Sequence, residues 1–467
     1  MMRFRPRPAT LILPVENQVR EFDAKLLLGC VAAERGYPVL IGSQPYVFRS
    51  LPHLPPGVVL AKSMRAVNGM TYSLIRASGH DLVACDEEAL VRFDSPEYFA
   101  WRYSQRSFRA ITRFFAWGED DAAMFTRYDG YTGAPIHVTG NPRMDLLRPD
   151  LRAIFDDEVT ALRRRFGRFV LVNTNFSFVN HFTPGQNLVL PAAAGVRVGR
   201  SGRGLSVEFA TGMAAHQETI FAAFRRALPR LAAAFPRTTF VLRPHPSESK
   251  APWSALLAGQ PTVHVVQEGN VVPWLMASQC VVHNGCTTAV EANLLGTPTI
   301  AFMPITAQRF DYHLPNSLSL RVHDEDALEA MLDDVLQGRR MAPDAARQAR
   351  RLQHHLAPLD GPLAADRIVD ALDAAGYRQH SPRPATGPRA LYGQLGFALR
   401  NQIHAWKMAR RHHRLGSTAH AHHFPTLAPP DIDRRVRAMA QRLDRFGDIA
   451  CVQLSQHVFA LTRLSQA

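Results

Sequence analysis

The chain has 467 residues, 46% hydrophobic and 20% charged, an ordinary globular balance able to bury sizeable cores in two or three domains. Lys plus Arg number 54 against 40 Asp plus Glu, a formal charge of +14 that suits an anionic partner (nucleotide, phospholipid surface or nucleic acid) or reflects an arginine-rich genome. No stretch approaches the roughly 18 apolar residues that span a bilayer, and five scattered cysteines without a CxxC pair argue for reduced thiols and a cytoplasmic home.

After the basic opening MMRFRPRPA, the short run Thr10–Val15 is expected as a first strand rather than a secretion signal. A helical pattern from Glu21 to Arg35 stops at Gly36, and Pro38–Gly42 gives a second strand, the βαβ unit of a parallel sheet. The alternation continues through Val58–Leu60, Asp81–Ala84, Phe114–Trp117 and Ile136–Gly140. A helical stretch Arg152–Phe166 follows. It then restarts: strand Phe169–Val172, helix Gln217–Ala234, strands Thr239–Leu242, Val263–Val266 and Cys280–Val282, helix Thr288–Leu295, strand Thr299–Phe302.

Two α/β series imply two Rossmann-like lobes, residues 1–165 and 166–377, with a cleft between them as the natural ligand site. Residues Pro191–Gly204 are expected to be irregular. From 378 to 467 Pro, Arg and His accumulate, which predicts a basic linker and helical C-terminal extension ending in a helix Ile432–Phe446.

Three motifs fall at strand ends. Arg243-Pro244-His245-Pro246-Ser247-Glu248 follows a strand, so His245 is held between prolines at the sheet edge, where Arg243 and His245 suit a phosphate leaving group. His283-Asn284-Gly285-Cys286-Thr287-Thr288 opens the helix carrying Glu291, a turn whose N–H groups and hydroxyls form an anion site or simply a capped helix. Asp86-Glu87-Glu88 ends a first-lobe strand; adjacent carboxylates raise one another's pKa, which suits Glu87 or Glu88 as a general base, a solvated helix start being the alternative. Glu16, Arg20, Glu21 and Asp23 crowd the first strand-to-helix turn, for acceptor contacts or capping. No strict ligand spacing predicts a metal, and no cofactor is expected beyond a nucleotide substrate. Aromatic–basic interleaving is missing, so nucleic acid is not an expected partner.

The segments LPVENQVREFDAKLLLGCVAAERGYPVLIGS, VTGNPRMDLL, FVLRPHPSE and HNGCTTAVEANLLGTPTIAF, in order over residues 10–330, resemble the bacterial surface carbohydrate biosynthesis proteins. The acidic pair, HP pair and Ser/Thr pair are also similar to those of bacterial sialyltransferases and capsule Kdo transferases. That resemblance implies a GT-B-like fold and a metal-independent, inverting glycosyltransferase with a CMP-ulosonate or other nucleotide-sugar donor. Glu87-Glu88 would supply the base, and His245-Pro246 and Thr287-Thr288 would hold the nucleotide. Ala89 stands where those families carry Gly. The CDP-glycerol transferases share an RPHP-like segment and the UDP-GlcNAc 2-epimerases share the architecture, so a glycerophosphotransferase, an epimerase and a non-catalytic nucleotide-sugar scaffold remain alternatives. The expected partners are a nucleotide-sugar donor and a glycan or lipid-linked glycan acceptor. In Phe397–Leu415, Arg400, Lys407, Arg410, Arg411 and Arg414 accompany Phe397, Trp406 and Leu415. This stretch is expected either to touch the inner membrane peripherally or to pack as closing helices.

Overall fold

The structure is a computed structural model that describes residues 7–93, 95–193, 195–340, 345–409 and 417–464. Its strands are β1 Thr10–Val15, β2 Val39–Ser43, β3 Gly57–Ala61, β4 Asp81–Cys85, β5 Arg113–Ala116, β6 Ile136–Val138, β7 Phe169–Thr174 and β8 Val189–Ala192. They continue as β9 Gly195–Val198, β10 Thr239–Pro244, β11 Val263–Val265, β12 Cys280–His283, β13 Thr299–Phe302, β14 Leu320–Val322, β15 Ile449–Ser455 and β16 Val458–Arg463. The principal helices are α1 Gln18–Glu34, α2 Gly69–Ala77, α3 Asp156–Phe166, α4 Val207–Ala234 and α5 Thr287–Leu294. Four more are α6 Ala364–Ala374, α7 Gly387–Ala409, α8 Ser417–His423 and α9 Pro429–Leu443.

The chain divides into two α/β units. The first takes the described residues up to Glu87, Tyr103–Ile154 and those from Gln353 onward; the second takes Glu88–Arg102 and Phe155–Leu352. In the first unit β1 to β6 are parallel in the order β2-β1-β3-β4-β5-β6, and the antiparallel hairpin β15–β16 extends the sheet at β2. Runs such as Leu11–Val15, Val39–Ser43 and Leu82–Cys85 are buried throughout, as expected of parallel strands covered on both faces. In the second unit all six strands of the main sheet are parallel, in the order β11-β10-β7-β12-β13-β14. That is the doubly wound order, reversing direction between β7 and β12. Its core joins Val170, Val172, Phe224, Leu242, Trp253 and Phe302.

Several expectations need correction. The boundary at 165 is not the observed one: α3 belongs to the second unit, and residues 353–377 return to the first. The return has a physical cause, since Asp145 accepts hydrogen bonds from the Ala364 and Ala365 N–H groups (2.8 and 3.0 Å) at the start of α6, and Arg35, just past α1, pairs with Asp370. The region from 378 carries the expected helices, α7, α8 and α9, but it belongs to the first unit rather than forming a separate domain. It contributes two strands to the first sheet, and Gly42 of β2 lies so close to His457 that a Cβ there would sit 2.3 Å from its carbonyl oxygen. Residues 191–204 are not wholly irregular either, because β8 and β9 pair antiparallel. All five cysteines are buried and unbridged. Among the described residues no helix is long and apolar enough to cross a membrane.

Candidate functional site

Open α/β sheets hold ligands beyond the carboxyl ends of their strands, at the point where strand order reverses. Both units place unusual polar side chains there.

In the second unit that point lies between β7 and β12. Asn173, near the end of β7, has Arg243 and His283 as its register neighbours. Its side chain is buried, yet neither its oxygen nor its nitrogen has a hydrogen-bond partner among the described residues. Such an amide costs about 1–3 kcal/mol. Beyond it, Asn284 clasps the opposite strand end: its Oδ1 accepts from the Asn175 N–H at 2.8 Å, and its amide donates to the Asn175 carbonyl at 3.2 Å. Gly285 follows with φ +88°, a left-handed turn that opens α5. Cys286, not a threonine, takes the N-cap position, without a side-chain cap. Thr287 and Thr288 therefore fall in the first turn, and the Thr288 hydroxyl is buried without a partner among the described residues.

His245 leaves β10 with its N–H bonded to Thr174 O at 2.9 Å. Its Nδ1 accepts from the Ser247 N–H at 3.1 Å, which fixes the ring and leaves Nε2 to carry the proton of the neutral form. Pro246 completes this half-buried turn.

Other residues of these motifs turn inward. Glu248 is buried and accepts from Thr174 Oγ1, the Phe176 N–H and Trp253 Nε1 at 3.0, 3.0 and 2.7 Å; burial pushes its pKa up to about 6 against those bonds. It braces the loop after β7 from inside. The Arg243 guanidinium is buried over the Trp274 ring and donates to the Glu268 and Gly269 carbonyls, with burial lowering its pKa to about 10 while Glu291, Cys286 and Glu268 oppose that. Glu291 is buried one turn into α5. His283 is fully buried, bonds Ser319 Oγ at 2.8 Å, and is pushed down to about 3 by burial, so it is a neutral core residue rather than a cation.

A pocket at this end of the sheet adds residues the motifs did not reveal. It is lined by His216, Gln217, Asn284, Asp311, Tyr312 and Asn316, among others. His216 Nε2 meets Asp311 Oδ1 at 2.9 Å, and Asp311 Oδ2 accepts from the Ala307 N–H at 2.8 Å. Gln217 Oε1 and Asn316 Oδ1 are buried without partners among the described residues.

The first unit reverses strand order between β1 and β3, and there the side chains are ionic. Glu16, just past β1, pairs with Lys62, just past β3. Lys62 also reaches Glu21 Oε1 at 3.2 Å. Glu21 is buried, accepts from the Glu16 and Asn17 N–H groups, and pairs at 2.8 Å with Lys25, which donates as well to Pro14 O at 2.6 Å. Burial would raise the Glu21 pKa, but Lys25 and Lys62 outweigh it and hold the carboxylate well below its ordinary range.

Glu87 ends the series at β4. Its Oε2 is buried without a hydrogen bond among the described residues, and Arg143 Nη1 stands 3.9 Å away. Burial raises its pKa, with Glu21 adding to the rise and Lys25, Arg143 and Lys62 opposing it. The adjacent carboxylates part company: Glu87 stays with the first unit, while Glu88 groups with the second and acts on Tyr312. Helix α8 brings His420 to Ser43 Oγ at 2.9 Å, and His423 is electrostatically linked to Glu16.

Arg20 is half-buried on α1. Asp23 does not join this cluster, because two residues along a helix turn it about 200° from Glu21; it is buried against Arg435 of α9.

No protein-family model matches the chain, and no curated protein matches it. Among solved structures it is similar to UDP-GlcNAc 2-epimerase from Neisseria meningitidis bound to UDP-GlcNAc, at 14% identity over 78% of this chain and 100% of that one, TM-score 0.48. The Methanocaldococcus jannaschii UDP-GlcNAc 2-epimerase in complex with UDP-GlcNAc and UDP gives 12% identity over 78% and 99%, TM-score 0.49. The wall teichoic acid polymerase TagF gives 11% over 79% and 89%, TM-score 0.49. At these scores no substrate or residue role follows from the likeness.

Proposed function

We propose that the protein is a GT-B-like glycosyltransferase of bacterial surface polysaccharide synthesis, with the nucleotide-sugar donor held by the second unit and acceptor chemistry carried by the first. The observation that supports this best is Asn173, whose two polar atoms are buried and, among the described residues, unpartnered at the reversal point of the second sheet. The Asn284–Gly285 turn and the Thr288 hydroxyl lie at the same end of the sheet, and a polar ligand there would satisfy these groups. In this reading Glu87 takes the proton of an acceptor hydroxyl. The acceptor oxygen bonds the anomeric carbon, and the bond to the nucleotide phosphate breaks with its electron pair on the phosphate. His245 Nε2–H and the Thr288 hydroxyl stabilise that charge. A CMP-ulosonate donor rests on the resemblance of His245-Pro246 and Thr287-Thr288 to CMP-holding pairs, and the reading includes activity that persists in a chelator.

The test is a melting-temperature panel with CMP, CDP, UDP, GDP and ADP, followed by turnover assays with the stabilising nucleotide's sugar. One nucleotide should raise the melting temperature, turnover should require an acceptor, and His245→Ala should lower turnover about a hundredfold without moving the apo melt. Turnover of donor alone would instead make the protein an epimerase, and silence across the whole panel would remove the nucleotide reading.

A further inference from the structure

Helix α7 carries an apolar face that the fold leaves uncovered. Leu391, Tyr392, Leu395, Leu399, Ile403 and Trp406 are each between 44% and 61% exposed. At 100° per residue they share a sector of about 120° running four turns along the helix. The helix is anchored by its other side. Gly393 and Gly396 press on α2, where a Cβ would come 2.9 Å from the Ala77 carbonyl carbon and 2.3 Å from Leu74, and Phe397 is fully buried. Exposed Met70 on α2 extends the stripe, touching the Tyr392 hydroxyl through its sulfur.

This geometry corrects the expected membrane face. Phe397 points into the protein, and the Arg400 guanidinium lies over the Phe48 ring. Trp406 does face solvent, in company with leucines that periodicity around the basic residues did not single out. Arg410, Arg411, Arg414 and Leu415 lie outside the described residues.

Charge decides the occupant. Between residues 374 and 430 the sequence has eight Lys or Arg and no Asp or Glu. Arg389 and Lys407 sit at the border of the stripe, about 160° round the helix from Leu391. A second copy laid on this face would bring two such segments together with no carboxylate on either to pair them. An anionic lipid surface supplies both an apolar layer for the leucines and negative headgroups for the cations, and Tyr and Trp favour the boundary between the two. We infer that α7 docks the protein on an anionic lipid bilayer, lying in the interface plane with the Leu391–Trp406 stripe inserted. The inference concerns this helix alone and stands whether or not the transferase reading holds.

Flotation of the full-length protein with vesicles tests it, using phosphatidylcholine alone and phosphatidylcholine mixed with phosphatidylglycerol. The protein should float with the mixed vesicles, less so as salt rises, and stay behind with the neutral ones. The double variant Leu395→Glu with Leu399→Glu changes two exposed side chains, so its melting temperature should match the parent's while its partition coefficient falls about a hundredfold. A parent that never floats, or a variant that floats as well as the parent, overturns the inference. So does a parent that is a dimer by light scattering and ignores vesicles, with the double variant monomeric; the stripe would then be a contact between copies.

Discussion

The two sheets keep their ligand ends in opposite electrostatic states. At the first, Glu16, Glu21, Lys25, Lys62 and Glu87 form a charged network in which nearly every group has an opposite partner. At the second, Arg243 and Glu248 are turned inward, and the neutral side chains of Asn173, Thr288, Gln217 and Asn316 keep buried atoms unpartnered among the described residues. A network already paired is stiff and suits holding one proton-accepting carboxylate in place. Neutral donors and acceptors left unsatisfied are suited to receiving a polar ligand. Under the proposed transferase reading, similar topology serves two tasks, one for chemistry and one for binding.

Four substitutions or titrations break that contrast in order of size. Glu87→Gln should lower turnover on the order of a thousandfold, about 4 kcal/mol in barrier, because it removes the proposed base. Nucleotide affinity and apo stability should hold, since a buried carboxylate with a raised pKa gives nothing to the fold at neutral pH; weakened nucleotide binding would put the chemistry elsewhere.

The second effect is nearly as large and belongs to the other unit. His283 has its pKa lowered by burial to about 3. Between its ordinary value of about 6.5 and that value the unfolded chain binds a proton that the folded chain refuses. Stability is therefore complete above about pH 6.5 and declines toward pH 3, by on the order of 4 kcal/mol. Unfolding by urea across that range, in the parent and in His283→Gln, should show a shallower decline in the variant.

Third, Lys25→Met should cost about 3 kcal/mol, because it leaves the buried Glu21 with Lys62 as its remaining lysine partner. Adding Glu21→Leu should recover much of that loss, and a double variant no better than the single one would mean that Lys25 acts by packing alone.

The smallest effect has the most diagnostic sign. Asn173→Leu should stabilise the apo protein by about 1 kcal/mol by removing an unsatisfied amide, while weakening nucleotide binding roughly tenfold. Loss of apo stability would show that the amide is already satisfied, and the binding role would fall.

Much of the architecture was legible because buried parallel strands are nearly continuous apolar runs. Phe169–Val172 and Thr299–Phe302 announce themselves, and their alternation with helices fixes the class. The hairpin β15–β16 did not, since Val452 and Leu454 are apolar yet about half exposed, and an edge strand lacks the doubly buried pattern. Strand-end motifs led correctly to the sheet edge, but which side chains face out is decided by packing. His283 and Glu248 carry suggestive chemistry and face inward. Two missed residues left faint signals: Lys25 is a lone lysine in the otherwise apolar run from Ala24 to Ala33, and Asn173 interrupts the end of an unbroken valine-leucine strand. The His216–Asp311 contact left none, being made across 95 residues of sequence.

The seam between β2 and β16 also has a consequence for biogenesis. Residues 39–42 cannot acquire these partners until residues 458–461 have been synthesised, so a growing chain carries β2 as an open edge for almost its whole length. Most of the second unit, from Phe155 to Leu352, is complete on the ribosome long before that. The first unit begins earlier and closes later, with a contact order that slows its final step. During that interval the unpaired edge of β2 is the place where a chaperone would have to bind, or where a neighbouring nascent chain would add a strand and aggregate.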